Sequence, residues 1–296
     1  INRLVAENTA SEPTNIWTQL AKGWPYALLF LLMMTYHRVD AIMLERSATN
    51  GAKEAGWYAM SYRLFEAANM IGYLFATLLL PYFSRMLANK TDVRPLAIGA
   101  SQLLLVGGGA VAWTACFWPD SFLRLFYDHE IAEAAPILPW LMVSFAIFAQ
   151  GYVFSTLLTA RGDLRLLNSV AAIGAFGNIA LNFLWIPEYG ALGCAMASAL
   201  TQALVVIVQC TASVLKHPGS AWWKLVKSLV LHSLLCGAIC GIGLRWDSDV
   251  WWMVPVILLA CLLAGFIPGI MDDSTLRSLL STKMNTFASS KLKSDS

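Results

Sequence analysis

The chain has 296 residues, of which 58% are hydrophobic and only 13% are charged, and its mean hydropathy is +0.60. Soluble domains use about 25% charged residues, so this composition excludes an ordinary water-soluble fold and favours an integral membrane protein. The formal net charge of +2 is too small and too dispersed to indicate a nucleic-acid partner.

Long apolar segments follow one another along most of the chain. Eight of them, each roughly 19 to 30 residues long, can be placed near 20–44, 56–84, 95–118, 135–160, 167–186, 192–215, 226–245 and 250–270. Segments of this length can cross the hydrocarbon core, where only helices and closed barrels satisfy their own backbone groups. The sequence therefore predicts an all-α integral membrane bundle of about eight transmembrane helices.

The basic residues alternate between the two sides of these predicted spans. Fourteen Lys and Arg residues fall in one set of connections and tails, and four fall in the other set. Because positively charged loops remain in the cytoplasm, the sequence predicts that the N-terminal segment and the C-terminal tail both lie on the cytoplasmic side.

Ionisable residues lie inside the first two predicted spans. Arg38 and Asp40, next to the titratable His37, lie in the outer third of the first span, and Arg63 and Glu66 lie in the outer third of the second. Charged side chains at the bilayer centre cost roughly 2.5–3.5 kcal/mol each, so they are normally paired or line a hydrated cavity. Two interpretations stay open: ion pairs, such as Arg63 with Glu66 or Asp40, and a cavity that opens outward.

A polar stripe along the second span favours the cavity. Tyr62, Glu66, Asn69, Tyr73 and Thr77 recur at steps of three or four residues, which places them on one face of a helix. A helix surrounded by lipid has no use for such a stripe, although contacts between helices could also use it.

The fifth predicted span carries a second regular pattern. Gly174, Asn178 and Asn182 recur at steps of four residues and share one helix face. Small and amide residues at this spacing are typical of helix interfaces, where they allow close approach and hydrogen bonds between helices. Helix packing and substrate contact are both compatible with the pattern.

The chain carries no recognisable catalytic or metal-binding motif. Its six cysteines lie inside apolar segments and are interpreted as small core residues; they are Cys116, Cys194, Cys210, Cys236, Cys240 and Cys261. Two acidic residues, Asp247 and Asp249, flank Ser248 in a predicted outer turn. We therefore expect no cofactor, no metal site and no enzymatic activity.

Two stretches resemble a known family. The run RVDAIML from Arg38 to Leu44, followed by GWY at 56–58 and YRL at 62–64, resembles the start of the second half of bacterial oligosaccharide flippases of the O-antigen translocase type. The run NIALNFLWIPEYGALG at 178–193 resembles a later helix and turn of the same proteins. These flippases belong to the superfamily of multidrug, oligosaccharidyl-lipid and polysaccharide exporters.

The resemblance implies a fold and a function. Members usually have fourteen helices in two lobes around a central cavity, and they move undecaprenyl-diphosphate-linked glycans across the bacterial inner membrane for surface polysaccharide and lipopolysaccharide biosynthesis. The match implies a cytoplasmic segment at 1–17, the second six-helix lobe at 18–215, an additional helix pair at 216–270 and a cytoplasmic tail at 271–296. The first lobe would then be missing from this chain.

The resemblance also implies site residues and partners. An anionic diphosphate in a low-dielectric cavity needs cationic or hydrogen-bonding groups, and the implied substrate-binding residues are His37, Arg38, Tyr62, Arg63, Asn69, Tyr73, Asn178 and Asn182. Asp40 and Glu66 are implied to hold these cations or to bind a coupling proton or sodium ion. The implied partners are a lipid-linked oligosaccharide, membrane lipids, and a glycan polymerase or export machinery.

Three alternatives remain open on the sequence. A small-molecule or drug antiporter of the same superfamily would share the fold but would not require a polyprenyl-diphosphate substrate. A membrane-embedded glycan polymerase belongs to another class, and the large outer loop expected of it is absent from the sequence. For a scaffold subunit without transport, neutralising the intramembrane charges would alter assembly but leave glycan export intact.

The topology can be tested by labelling cysteines introduced one at a time. Because the basic loops are predicted to be cytoplasmic, cysteines near Asn50, Ser121 and Asp247 should react with an impermeant thiol reagent added to intact cells. Cysteines near Lys90 and Lys216 should react only after permeabilisation. The reverse pattern would contradict the predicted orientation.

Overall fold

The computed structural model describes residues 16–245 and 252–271, and its regular elements there are helices. In chain order they are α1 (Ile16–Ser47), α2 (Gly51–Ala88), α3 (Arg94–Phe117), α4 (Pro119–Leu123), α5 (Ile131–Ala134), α6 (Leu138–Ala160), α7 (Leu164–Lys216), a 3₁₀ turn (Ser220–Trp222), α8 (Trp223–Gly243) and α9 (Met253–Ala264). The predicted turn at 247–249 and both terminal segments, 1–15 and 272–296, lie outside the described residues.

The helices agree with the all-α membrane fold predicted from hydropathy. In the described part of the chain, α2, α3, α6, α7 and α8 are each long and apolar enough to cross a membrane, and α7 contains the fifth and sixth predicted spans. The structure differs from the prediction in two places. The last helix, α9, is shorter than the predicted span at 250–270, and the outer connection near 119–134 contains the short helices α4 and α5.

Proline marks several helix starts. Pro95, Pro119 and Pro139 each lie in the first turn of their helix. A backbone N–H group in this turn has no acceptor within the helix, so its absence in proline costs no intrahelical hydrogen bond. Helix α7 differs because Pro187 lies in its interior, three residues before a break at Gly190. The backbone of Gly190 has φ 56° and ψ −133°, a conformation that is essentially restricted to glycine.

The break at Gly190 divides α7 into an N-terminal arm (164–189) and a C-terminal arm (191–216). The arms run back along each other, since Asn178 on the first donates to Ser198 on the second at 3.3 Å. The second arm begins with a cap from another helix: the backbone N–H of Ala191 donates to Oε2 of Glu54, near the start of α2, at 2.9 Å. A carboxylate at this position offsets the partial positive charge of a helix N-terminus.

Helix α6 lies at the centre of the bundle and packs against α2, α3 and α7. Helix α1 packs mainly on α7, whereas α8 and α9 pack on each other and on α3. We call the end that holds the α2–α3 and α6–α7 turns the basic end, and the end that holds the α1–α2 turn and Gly190 the far end. The core side chains of α6 are among the most completely buried, including Leu157 and Leu158 at 0% exposure.

Ion pairs tie the chain together at the basic end. Asp163 lies 2.9 Å from Arg161 and 2.8 Å from Lys216, at the end of α7. Partial burial opposes ionisation, but hydrogen bonds and charge from Lys216 and Arg161 outweigh it and hold the pKa of Asp163 below its ordinary value. Nearby, Arg94 donates to the backbone oxygen of Pro218 at 2.8 Å. These contacts join the start of α3 and the α6–α7 turn to the end of α7.

The break at Gly190 generates a stability prediction. In Gly190→Ala, the new Cβ would lie 2.7 Å from the Glu54 carboxylate in a backbone conformation that disfavours side chains. We expect a loss of about 1–3 kcal/mol, measured as a lower thermal unfolding temperature of the purified full-length parent in detergent. Gly107→Ala is the matched control because its Cβ meets nothing within 4 Å. An equal loss in both variants would contradict the strain assigned to Gly190.

Candidate functional site

Asp40 of α1 is the centre of a buried polar cluster. Its side chain is only 3% exposed, and both carboxylate oxygens accept hydrogen bonds from distant parts of the chain. Ser198 Oγ donates to Oδ2 at 2.6 Å, and Asn182 Nδ2 donates to Oδ1 at 2.7 Å. Tyr58 of α2 donates to Oδ2 at 3.2 Å. The donors therefore come from α2 and from both arms of α7.

A second layer of amides supports these donors. Asn182 Nδ2 also donates to Asn178 Oδ1 at 3.1 Å, and Asn178 in turn donates to Ser198. Asn178 and Asn182 are both 0% exposed. Asn182 Oδ1 is also buried but accepts no hydrogen bond. An acceptor without a donor is costly in a buried site, and this one belongs to the amide that contacts the Asp40 carboxylate.

Dipoles and hydroxyl groups, rather than a salt bridge, surround the carboxylate. The ion pairs between described side chains lie at the basic end, and they join Asp92 to Arg94 and Asp163 to both Arg161 and Lys216. Within that part of the chain, Asp40 and Glu66 have no ion-pair partner within 4.0 Å. The pairs of Arg63 with Glu66 or Asp40, which were one of the two sequence interpretations, are therefore not formed.

A small pocket of about 10 Å³ adjoins Asp40. It is lined by Asp40, Tyr58, Tyr62, Phe65, Leu141, Ser144, Ser198 and Gln202. Tyr62 stacks on Tyr58 and on Phe65, with ring centroids 5.4 Å apart in each case. The volume is near the lower limit for one water molecule, so the pocket suits a single small species and excludes a sugar.

Helix α2 carries a separate polar face. Arg63 and Glu66 are exposed, and Tyr73 and Thr77 continue the same face toward the basic end. Tyr62 and Asn69, which the sequence pattern placed in the same stripe, are half-buried. The stripe therefore has an exposed edge that contains both charged residues and a half-buried edge that turns toward the other helices.

The predicted site residues thus fall into two groups. Asn178 and Asn182 belong to the buried cluster around Asp40, where they form hydrogen bonds and pack between helices. Arg63, Glu66 and Tyr73 belong to the exposed face of α2. Tyr62, which lines the small pocket, and Asn69 lie on the half-buried edge of α2 between the two groups. For His37 and Arg38, the structure describes the backbone in α1 but not the side chains.

Three residues of this region were missed by sequence reasoning. Tyr58 was part of a family-like run but received no role, and Ser198 is a lone hydroxyl in an alanine-rich segment. Glu54 lies near the α1–α2 turn, where an acidic residue looks like ordinary surface. The pattern around Asn178 and Asn182 was the one signal that pointed to this cluster from α7.

The arrangement is that of a membrane transporter. Its polar groups are gathered inside a bundle of membrane-spanning helices, and buried ionisable groups in such bundles commonly mark substrate and ion pathways. Residues 23–260 match the family described as "Lipid II flippase MurJ". That match covers most of the chain, so the chain belongs to the MurJ family, whose members are transporters rather than enzymes.

Individual relatives agree with this family. The chain is 26% identical over 196 residues to the "Lipid III flippase" of Escherichia coli (strain K12), covering 65% of this chain and 46% of that relative. The "Lipid III flippase" of Shigella flexneri gives the same values. The chain therefore spans about half the length of these curated relatives.

A solved structure shows the same fold. It is described as "Lipid II flippase MurJ, inward closed conformation", and it matches with a TM-score of 0.63 at 18% identity, covering 88% of this chain and 56% of that one. The class of lipid-linked oligosaccharide flippases predicted from sequence is thus supported. The narrower assignment to O-antigen translocases stays a prediction.

Proposed function

We propose that this chain forms the second lobe of a flippase that moves an undecaprenyl-diphosphate-linked oligosaccharide across the bacterial inner membrane. Family membership supports a lipid-linked substrate, and the names of the family and of its relatives point to lipid II or lipid III as the kind of molecule moved. The same membership favours a flippase over a drug antiporter. Surface polysaccharide synthesis, with a glycan polymerase as neighbour, is our proposed pathway context.

The exposed face of α2 carries this proposal. Arg63 lies twelve residues into a membrane helix, about 18 Å along its axis, and both Arg63 and Glu66 are exposed in the described structure. An exposed charge on a membrane-spanning helix is expensive unless protein or water covers it. Since the chain spans about half the length of its relatives, the remaining half is the natural cover, with a hydrated cavity between them.

Arg63 suits a diphosphate for chemical reasons. A guanidinium group presents a planar set of donors that matches phosphate oxygens in pairs, and it is more weakly hydrated than an ammonium group. Tyr73 and Thr77 continue the same face; Tyr73 can donate a hydrogen bond to a sugar hydroxyl, and Thr77, whose hydroxyl donates to the backbone oxygen of Leu74, can accept one. Because Arg63 forms no ion pair with described residues, its charge is available to a substrate.

The buried cluster suits a second task, the binding of a coupling cation. The Asp40 carboxylate, the hydroxyl groups of Tyr58, Ser144 and Ser198 and the side chain of Gln202 line a pocket sized for one small species, and the Asn182 amide contacts the carboxylate from beside it. Rotation of the Asn182 amide would turn its unpartnered Oδ1 toward Asp40, and a cation between the two oxygens would satisfy both. We therefore propose that Asp40 binds the coupling ion, a proton or sodium, while Arg63 contacts the substrate.

Replacement of Arg63 tests the substrate role in the full-length parent. We expect Arg63→Ala to abolish the appearance of labelled lipid-linked oligosaccharide on the outer face of right-side-out vesicles, while protein abundance stays normal. Arg63→Lys should be partly active, because a point charge replaces a planar fork. Arg124→Ala, an exposed arginine outside the long helices, is the matched control and should be fully active.

The double variant Arg63→Ala with Glu66→Ala separates the proposed role from a structural ion pair. If Arg63 contacts the diphosphate, the double variant should be as abundant as the parent and still inactive. Recovery of translocation in the double variant would remove Arg63 from the substrate site.

A further inference from the structure

A cavity of about 370 Å³ lies on the basic-end side of Asp40 and is open on one side, where the exposed α2 residues Tyr73, Thr77 and Leu80 form its edge. Helices α1, α2 and α6 and both arms of α7 contribute to its walls. None of the residues that line it in the described structure is charged, but several are polar: Thr77, Tyr152, Thr156, Thr159, Gln202 and Gln209. The described walls of the cavity are therefore mostly apolar, and they carry neutral hydrogen-bonding groups along their length.

The C-terminal arm of α7 connects this cavity to the Asp40 cluster. Ser198, Gln202, Gln209 and Ser213 recur at steps of four, seven and four residues, which is one helix face, and all four are buried. Ser198 donates directly to Asp40. Gln202, one turn further, lines both the small pocket beside Asp40 and the large cavity. Its side chain is therefore the boundary between the two spaces.

A residue of the cavity wall carries an unsatisfied polar atom. Gln209 is only 8% exposed, and its Oε1 accepts no hydrogen bond from the protein and has almost no accessible surface. A buried amide oxygen without a donor is unfavourable by about 1–3 kcal/mol. The cavity beside it is far larger than the space one water needs, and the polar side chains that line it can hydrogen-bond water there.

We propose that this cavity is the cytoplasmic vestibule of the Asp40 pocket, through which the coupling ion exchanges, and that Gln202 forms the constriction between them. The inference rests on the proposed role of Asp40 as the ion site and on the basic end facing the cytoplasm. Neutral polar walls suit such a passage because an ion must be solvated without being held tightly.

A cavity-filling variant of the full-length parent tests the vestibule. Ala171 lines the cavity, whereas its neighbour Ala172 does not, and both are half-buried. With radioactive sodium as the probe, Ala171→Leu should bind as much ion at equilibrium as the parent but release it about tenfold more slowly. Ala172→Leu should release it at the parent rate. If the parent binds no sodium, proton release after a pH jump replaces it as the probe.

The outcomes distinguish the two proposals. Unchanged release in Ala171→Leu, with equilibrium binding intact, would overturn the vestibule and leave Asp40 as the ion site. If Asp40→Asn retains both the sodium binding and the proton release of the parent, the ion site and the vestibule are both overturned.

Thiol labelling keeps the test decisive if Ala171→Leu fails to fold. In a background without native cysteines, Thr159→Cys should react with a small water-soluble thiol reagent added to the cytoplasmic face. Thr114→Cys, which is buried in α3 away from the cavity, should not react. Absence of reaction at position 159 would overturn a hydrated vestibule.

Discussion

A carboxylate inside a membrane protein must be solvated by the protein itself, and Asp40 obtains this solvation from several helices at once. Tyr58 of α2, Asn182 of the first arm of α7 and Ser198 of the second arm all donate to it. Removing one donor from such a cluster leaves the full desolvation penalty of the group it served. The relative positions of α1, α2 and α7 are therefore tied to this single side chain.

The break in α7 is what brings the donors together. Asn182 and Ser198 lie eight residues before and eight residues after Gly190, so a sharp reversal there places them at the same depth in the bundle. Glu54 stabilises the reversal because it caps the second arm at Ala191. A strained glycine, a helix cap and the buried cluster around Asp40 thus form one connected unit.

The same unit continues into a polar stripe and lies beside an exposed charged face. The stripe from Ser198 through Gln202 to Gln209 runs toward the basic end along the cavity. The face of α2 that contains Arg63 is exposed, and its residues Tyr73 and Thr77 form one edge of the same cavity. Tyr58, which donates to Asp40, stacks on Tyr62 of that helix. Asp40 is therefore linked directly to the helix that carries Arg63.

The fold could be predicted from sequence because a bilayer requires apolar helices of nearly fixed length, whose backbone N–H and C=O groups hydrogen-bond within the helix. Asp40 and Arg63 could be singled out for the same reason, since charges in such segments are expensive. The partners could not be predicted: Asn182 is 142 positions from Asp40, and Ser198 is 158 positions away. The pattern at Asn178 and Asn182 identified a polar helix face but not the carboxylate that it meets. The cap at Glu54 depends on a contact between separate helices.

The proposed coupling of transport to a cation at Asp40 can be measured in liposomes that contain the reconstituted full-length protein. The measured quantity is the rate at which a labelled lipid-linked oligosaccharide crosses the bilayer under an imposed sodium or pH gradient. We expect one of the two gradients to accelerate translocation, and we expect Asp40→Asn to keep its abundance and fold but to lose this acceleration. A full gradient response in well-folded Asp40→Asn protein would show that Asp40 does not couple transport to a cation.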